Sequence, residues 1–301
     1  MKFLCLATFL LLTASLPAVR LKNSPYYKHL SNDVYFRILN IPGELRKGEI
    51  FLHKQLVIEL TDSFGHSDTV KDTFFTAGKV QLLIDKKTTP DMIGADKTEN
   101  GAAITASGEV LVSFNDQETQ LRYHMSAFKL AFIYACRLKK ALGDTASYPA
   151  EDFSLEVREI SKGDEYFGND FLEEAYMAYR KAWKINRKNA LACFSMGSIA
   201  FYENKFDEAM PFLEKSTEYL GDFPRTYYMI ARTALSQGDQ QKATVALKMA
   251  LKFDESNPVY QDLLKTIEEG KAVLTPVTVE VTVEPAKESP QKKRKKKLFG
   301  L

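Results

Sequence analysis

The chain is poor in the residues that most often form disulfide frameworks and metal centres. It has three cysteines, four histidines and one tryptophan among 301 residues. Three cysteines cannot form the set of disulfides that stabilises small secreted domains. Cys136 and Cys193 fall in predicted helices, so we expect both to be small core residues and not a bridge. Cys5 lies in the first apolar stretch.

Signatures of catalysis are also lacking. The histidines include no His-Glu-x-x-His pair, and the chain has no Gly-x-Gly-x-x-Gly motif and no nucleophile elbow. His66-Ser67-Asp68 has the residue types of a hydrolase triad, but adjacent positions do not normally form one, which favours a polar turn. We therefore predict a chain without catalytic residues, metal or cofactor. A triad assembled from scattered residues stays open as an alternative.

A long apolar run is the third absence. The run Phe3–Leu12 is too short for a comfortable membrane span. It follows Lys2 and leads into small residues, which is typical of an export signal with cleavage after Ser15 or Ala18. We predict that residues 1–18 are a signal peptide and that the protein is exported. An uncleaved membrane anchor is the alternative.

What the chain does contain is an internal repeat. Ala175, Ala209 and Ala243 are spaced 34 residues apart. Small residues recur seven positions later and twelve positions earlier, at Ala182, Ser216, Ala250, Gly163, Gly197 and Ala231. A period of this length with small residues at fixed phases is typical of stacked helix–turn–helix units, which form a solenoid.

These residues resemble the tetratricopeptide repeat (TPR) family over about residues 156–270. The resemblance implies repeats at 156–189, 190–223 and 224–257, and a capping helix at 258–270. Small residues would let the two helices of a repeat approach, while Tyr179, Leu213 and Leu247 would fill the space between repeats. A repeat protein of this kind with an export leader resembles bacterial periplasmic or cell-envelope proteins. Such proteins bind other proteins and are not enzymes.

The resemblance also implies a binding surface. In this family the concave face is lined by the first helix of each repeat. The corresponding residues are Asp164, Phe167, Leu191, Phe194, Phe201, Tyr202, Arg225, Tyr228 and Arg232. Aromatic rings beside guanidinium groups suit a peptide partner. Ile160 and Asp164 replace the lysine and asparagine that clamp a C-terminal carboxylate in chaperone-binding members, so that clamp is not expected. The alternative is that these aromatics pack against the neighbouring domain.

Residues 26–150 show the short alternating runs that are typical of strands. The predicted fold class of the whole chain is α+β. It consists of a β-rich domain with one long helix, followed by an all-α TPR solenoid of three repeats plus the capping helix. The predicted strands are Val34–Ile41, Ile50–Leu60, Thr73–Ala77, Val80–Asp85, Ala102–Thr105 and Val110–Phe114. Ser107-Gly108 and, more weakly, Ala77-Gly78 read as hairpin turns. Residues 85–101 read as an exposed loop. A helix from Gln120 to Leu142 would pack one stripe on the sheet, formed by Leu121, Met125, Phe128, Phe132, Cys136 and Leu138 or Leu142.

The last segment, residues 271–301, reads as a linker and a basic tail. Thr275–Pro285 alternates valine with threonine or glutamate, which indicates an extended, mostly disordered linker in which Val277–Val283 could pair as an edge strand. Six consecutive cations follow at Lys292, Lys293, Arg294, Lys295, Lys296 and Lys297. Such a run binds polyanions, here anionic lipid or an envelope polymer, with nucleic acid ranked lower. A solvated, solubilising tail is the alternative.

Three functions remain open. The first is an exported, non-enzymatic scaffold that binds a protein or peptide partner on the concave face, with the basic tail on an anionic surface. The second is a ligand-binding or catalytic module in residues 26–150 that the repeats recruit. The third is a cytoplasmic, nucleic-acid-associated TPR protein whose apparent leader is a core segment.

Overall fold

The computed structural model describes residues 26–64, 68–149 and 151–270. The predicted signal peptide, linker and basic tail lie outside these ranges, and those predictions stay open. Within them, no helix combines the length and the apolar character needed to cross a membrane.

Two antiparallel sheets form the first region. The larger has four strands in the order β1-β2-β3-β4, and the smaller has three in the order β5-β6-β7. Their bounds are β1 (Tyr26–His29), β2 (Val34–Ile41), β3 (Leu45–Leu52), β4 (Gln55–Thr61), β5 (Ile93–Thr98), β6 (Gly101–Ala106) and β7 (Glu109–Asn115). β4 and β7 therefore each lie at the edge of a sheet.

Three helices accompany the sheets: α1 (Thr69–Asp85), α2 (Asp116–Tyr123) and α3 (Ala127–Ala141). α1 packs so closely on β3 that a Cβ added to Gly48 would overlap the Thr73 side chain. On the other face, the Tyr134 hydroxyl of α3 donates to Glu59 of β4 at 3.0 Å. The sheet region is thus layered between α1 and α3, with α3 contacting both sheets.

The strands at Val34–Ile41, Ala102–Thr105 and Val110–Phe114 are confirmed, as is the Ser107-Gly108 turn, where both residues have positive φ. The single strand Ile50–Leu60 is wrong, because His53 and Lys54 turn the chain at φ 50° and 67° and divide it between β3 and β4.

Two predicted strands, Thr73–Ala77 and Val80–Asp85, are wrong because both belong to α1, which also contains Ala77-Gly78. The buried residues Thr73, Ala77 and Val80 recur at a helical spacing. Asp68 caps the helix by accepting from the backbone N–H groups of Val70 and Lys71. The β-branched and aromatic residues of this segment favour strands, but the segment forms a helix because its buried face packs on β3.

The predicted loop at residues 85–101 is wrong as well, because it contains a 3₁₀ turn (Pro90–Met92) and β5. Only Ile93 is buried in β5. This edge strand therefore lacks the alternation of apolar and polar residues by which a half-buried strand is predicted.

The long helix from Gln120 to Leu142 is also wrong, since it is divided into α2 and α3. His124 has φ 52° and ends α2, and the Ser126 hydroxyl caps α3 by accepting from the Lys129 N–H. The break changes the helical phase, so the predicted buried stripe holds only in part. Phe128 and Phe132 are 36% and 42% exposed. The buried face of α3 is instead formed by Leu130, Ala131, Ile133, Tyr134, Cys136 and Leu138.

Seven helices follow within the described residues. Three antiparallel pairs are α4 (Leu155–Gly168) with α5 (Leu172–Ile185), α6 (Ala190–Tyr202) with α7 (Phe206–Tyr219), and α8 (Pro224–Ser236) with α9 (Gln240–Phe253), and α10 (Pro258–Glu268) caps the last pair. Pro211 lies inside α7, beyond its first turn, so its missing N–H removes one backbone hydrogen bond of the helix.

Small residues bring the helices of each pair together, as the repeat pattern predicts. Ala175, Ala209 and Ala243 are fully buried. A Cβ on Gly163 would lie 2.5 Å from the Tyr179 ring, and one on Gly197 would lie 2.8 Å from Leu213. Tyr179 and Leu213 therefore fill the space between the two helices of one repeat, and Tyr179 also contacts Ser195 in the next repeat.

Both described cysteines are core residues. Cys136 and Cys193 are buried and carry free thiols. Burial raises the pKa of Cys193 to about 11, so the thiol stays protonated at neutral pH.

Candidate functional site

The concave face of the helical region is contacted by the chain's own β2–β3 turn, residues 42–44, which we call the hairpin tip. Gly43 has φ 77°, and a Cβ at this position would overlap the Phe194 ring of α6. Leu39, Ile41 and Leu45, on either side of the tip, share one apolar core with the helices. The sheet region thus packs directly onto the face that the sequence predicts as the binding surface.

Glu44 fixes the tip by polar contacts. Its carboxylate pairs with the Arg232 guanidinium and accepts from the Tyr228 hydroxyl at 3.4 Å. Burial alone would lower the pKa of Arg232, but the nearby Glu44 carboxylate raises it overall. Glu44 itself has φ 62°, an uncommon backbone conformation for a residue with a Cβ. The concave face therefore holds a carboxylate on a tight turn between a guanidinium and a phenol.

Arg225 lies on the same helix, two turns before Arg232, and differs from it. Its guanidinium lies 5.6 Å from the Tyr228 ring centre and 5.7 Å from that of Tyr260. Its Nε atom is buried and has no hydrogen-bond partner among the residues the structure describes. Arg225 is thus held by aromatic rings and lacks the carboxylate that Arg232 has.

Asp164 belongs to a buried group that we call the Arg122 cluster, formed by Arg122, Glu118, Asp164 and Tyr179. Asp164 is 3% exposed, and it accepts from Arg122 at 3.1 Å and from the Tyr179 hydroxyl at 2.8 Å. Arg122 also pairs with Glu118 at 3.1 Å. Since Arg122 lies on α2 and Asp164 on α4, the cluster joins the sheet region to the first repeat.

A second buried group, the Lys47 cluster, contains Lys47, Glu49, Glu59 and Arg37. Lys47 Nζ lies 2.6 Å from Glu59, 3.3 Å from Glu49, and 3.2 Å from the Ser161 hydroxyl of α4. Burial alone would lower the pKa of Lys47, but the carboxylates of Glu59 and Glu49 raise it well above its usual value. Arg37 pairs with Glu49 and, at 3.5 Å, with Glu165 of α4.

Sequence reasoning missed the Lys47 cluster. The signal that could have found it is a register: Arg37, Glu49 and Glu59 are directly opposite one another on three neighbouring strands. A row of charged residues across a sheet is as typical of a solvated face, so the pattern alone could not place it in the interior.

Several of the predicted binding residues lie close to one another. Leu191, Phe194 and Phe201 are buried in the core. The Phe167 and Tyr202 rings lie 5.8 Å apart, and Arg232 lies 4.8 Å from the Phe201 ring centre. Phe194, Tyr228 and Arg232 contact the hairpin tip, and Asp164 belongs to the Arg122 cluster. These four residues therefore pack against the neighbouring domain, which is the alternative left open by the sequence. Binding of a partner by this surface stays a prediction.

Across residues 26–64, 68–149 and 151–270, no group of three or more His, Cys, Asp or Glu side chains is placed to hold a metal ion. The charged residues brought together in the two clusters are paired with one another, which is the chemistry of an internal interface.

The comparisons with known proteins bear on the helical region. A tetratricopeptide repeat family model matches residues 190–219 and 224–257. These two segments are TPR repeats. The family model does not match the preceding pair, α4 and α5, which makes the same contact of a glycine on a large side chain. The matching family model does not cover the sheet region, and no curated protein matches the chain.

Solved TPR structures resemble the chain at low sequence identity. The first TPR of Spaghetti (RPAP3), bound to an HSP90 peptide, is 18% identical, with 40% of this chain and 97% of that chain covered at a TM-score of 0.38. The Arabidopsis OM64 TPR domain is 16% identical, with 38% and 96% covered at a TM-score of 0.38. The Yersinia enterocolitica secretion chaperone SycD, in complex with a peptide of the translocator YopD, is 14% identical, with 38% and 87% covered at a TM-score of 0.34.

Proposed function

We propose that this chain is a non-enzymatic interaction scaffold whose TPR region binds a segment of a partner protein on its concave face. The presence of TPR repeats supports this role, because stacked helix pairs offer an extended surface for another chain. The sheet region packs against part of this surface. In this proposal it shapes the groove and leaves Arg225 of the third repeat for the partner.

The observation that carries the proposal is the unpaired Nε of Arg225. A buried donor without a partner costs about 1–3 kcal/mol, so a ligand that supplies an acceptor gains this energy. A carboxylate suits a guanidinium best, because the two can form charge-assisted hydrogen bonds. Glu44 already forms such a carboxylate–guanidinium pair with Arg232, two turns along α8 from Arg225. The partner segment is therefore expected to carry an acidic residue that pairs with Arg225.

Export and the basic tail complete the proposal, and both rest on the sequence. The leader would place the protein in the periplasm or cell envelope, and Lys292–Lys297 would hold it at an anionic surface. Sedimentation with vesicles of anionic lipid tests the tail: binding should weaken steeply as salt rises and disappear when the six cations are replaced by glutamine. Equal binding to neutral vesicles would contradict this part.

Crosslinking in the native cell tests the groove. The variant Arg225→Glu should lose the partner, because a carboxylate in the ligand would then meet a like charge. Arg180→Glu is the matched control, since it makes the same charge change on an exposed position of α5, the second helix of the first repeat. Capture of the same proteins by the wild type and by Arg225→Glu would remove the proposed groove.

A further inference from the structure

The end of α5 and the turn that follows it form a strongly basic surface. Residues 175–202 contain no aspartate or glutamate, whereas five lysines and arginines fall between positions 180 and 188. Four of these cations are exposed and have no ion pair among the residues that the structure describes. We call these four the basic patch: Lys181, Lys184, Arg187 and Lys188. The acidic residues of α5, Glu173 and Glu174, lie in its first turn, at the opposite end of the helix.

Trp183, the only tryptophan of the chain, lies within this patch beside two cations. The Arg187 guanidinium lies 4.1 Å from its ring centre, and the Lys215 ammonium of α7 lies 5.8 Å from it. The indole Nε1 is buried and has no hydrogen-bond partner among the described residues. Three donor groups thus converge here without a described acceptor, and an anionic oxygen such as that of a phosphate would supply one.

Apolar side chains are exposed on the same helix. Met177 is 45% and Ile185 is 49% exposed. Ile185 follows Lys184 directly, and Met177 stands one turn before Lys181, so both lie among the cations. Cations beside exposed apolar side chains are typical of surfaces that lie on anionic membranes, where the apolar groups enter the interface.

A membrane accounts for this combination better than a nucleic acid does. Proteins that bind single strands stack the bases on free aromatic rings, but one face of the Trp183 ring is covered by Arg187. A soluble polyanion would also leave Met177 and Ile185 in water, whereas a lipid surface would bury them. The charge and the apolar exposure therefore point to the same occupant.

We propose that the basic patch is a contact with anionic lipid membranes, made by the folded helical region itself. The patch lies on α5, the second helix of its pair, and on the turn to α6. The hairpin tip instead contacts the first helices of two pairs, at Phe194 of α6 and Arg232 of α8. A membrane on the patch therefore leaves the concave face accessible, and the contact needs neither the groove nor the tail.

Vesicle sedimentation of the full-length protein tests the patch alone when the tail cations Lys292–Lys297 are replaced by glutamine. At about 0.15 M salt this protein should not bind measurably, because charges then interact over only about 8 Å. At about 0.01 M salt, where they interact over about 30 Å, it should bind vesicles that contain phosphatidylglycerol and not vesicles of phosphatidylcholine. The emission of Trp183 should change as the anionic vesicles are added, since no other tryptophan contributes.

Replacing the four patch cations by glutamine in this protein should weaken the binding at least about tenfold, because each basic residue near an anionic surface contributes to it. The matched control removes the same charge from four other exposed positions and should bind as its parent does. The control substitutions are Lys86→Gln, Lys87→Gln, Lys248→Gln and Lys252→Gln. Both variants should keep the thermal unfolding midpoint of the parent, since all eight side chains are exposed.

Other results overturn the proposal. Equal binding by the patch variant and the control variant would show that only net charge matters, and binding to neutral vesicles would exclude a charge-based contact. The same change in Trp183 emission with inorganic phosphate, at the same phosphate concentration, would indicate an anion site without a membrane. Tighter binding to single-stranded DNA than to vesicles would make nucleic acid the occupant. Failure of the proposed groove or tail would change none of these outcomes, because the assay contains no partner protein and no basic tail.

Discussion

The sheet region and the TPR region bury different kinds of side chain. The sheets enclose Lys47, Glu49 and Glu59, and their contact with the first repeat encloses Arg122. The repeats, in contrast, are packed around alanines, glycines and single large residues such as Tyr179. Buried charges are stable only when every partner is present, whereas apolar packing depends on volume. The two regions should therefore lose stability in different ways, and four experiments test this contrast.

The largest effect is expected from Lys47→Met. The substitution leaves Glu49 and Glu59 buried beside each other without their cation, and breaking a buried pair in this way costs about 3–5 kcal/mol. Urea unfolding of the full-length protein measures the change. Lys242→Met is the matched control, because Lys242 pairs with Glu214 at 2.7 Å on an exposed surface, and such pairs contribute about 0–1 kcal/mol. Similar losses of unfolding free energy for both variants would show that the buried Lys47 ion pairs contribute no more than an exposed pair.

Acid should weaken the sheet region first. Burial alone would raise the pKa of Glu59, but Lys47 lowers it overall. A carboxylate with a lowered folded pKa stabilises the protein above its unfolded pKa of about 4.3, and the contribution is lost as pH falls through the folded value. Urea unfolding between neutral pH and pH of about 3 should show a falling stability that Glu59→Gln flattens. The same slope in both proteins would contradict this assignment. The effect should be smaller than that of Lys47→Met because loss of the Glu59 charge leaves Lys47 paired with Glu49 at 3.3 Å.

The repeats should instead respond to volume. Gly163→Val places a branched side chain against the Tyr179 ring, and overpacking of this kind costs about 1–3 kcal/mol. Thermal unfolding followed by helical circular dichroism measures it. Gly78→Ala in α1 is the control: its Cβ would meet no described atom within 4 Å, and alanine in a helix interior stabilises by roughly 0.5–1 kcal/mol. Destabilisation by both would mean that added volume is not the cause.

The smallest effect is expected at the hairpin tip. Glu44→Gln keeps the shape of the side chain but removes the charge that faces Arg232, and partly exposed ion pairs contribute about 0.2–1 kcal/mol. Overall stability should therefore change little, while amides of residues 42–45 should exchange faster. Glu214→Gln, at the exposed pair with Lys242, is the control for charge loss alone. Unchanged exchange at the tip would show that apolar contacts alone hold it in the concave face.

The TPR region could be predicted because its pattern of small residues is local and periodic. Ala175, Ala209 and Ala243 mark the same place in three helix pairs, and a 34-residue spacing needs no knowledge of distant contacts. Three of the predicted concave residues, Phe201, Tyr228 and Arg232, also lie close together. What the sequence could not show is that Asp164 pairs with Arg122, because the partner lies in the other region of the chain.

The sheet region was harder to predict for the same reason. The segment at residues 69–85 has residues that suit strands, and only its packing on Gly48 and the rest of β3 shows why it is a helix. The stripe through Phe128 and Phe132 assumed an unbroken helix, and a single residue with positive φ, His124, changed the phase. Arg225 could be named from its repeat position. That its Nε has no hydrogen-bond partner among the described residues depends on the folded structure and could not be read from the sequence.

The contact of Glu44 with Arg232 spans 188 residues of sequence. During synthesis, the first hairpin leaves the ribosome long before the third repeat exists, so its tip has nothing to bind for most of translation. Contacts between residues far apart in sequence form late and slow folding. The sheets should therefore reach their final packing only after α8 has been made, and the nascent chain must keep an apolar hairpin from aggregating until then.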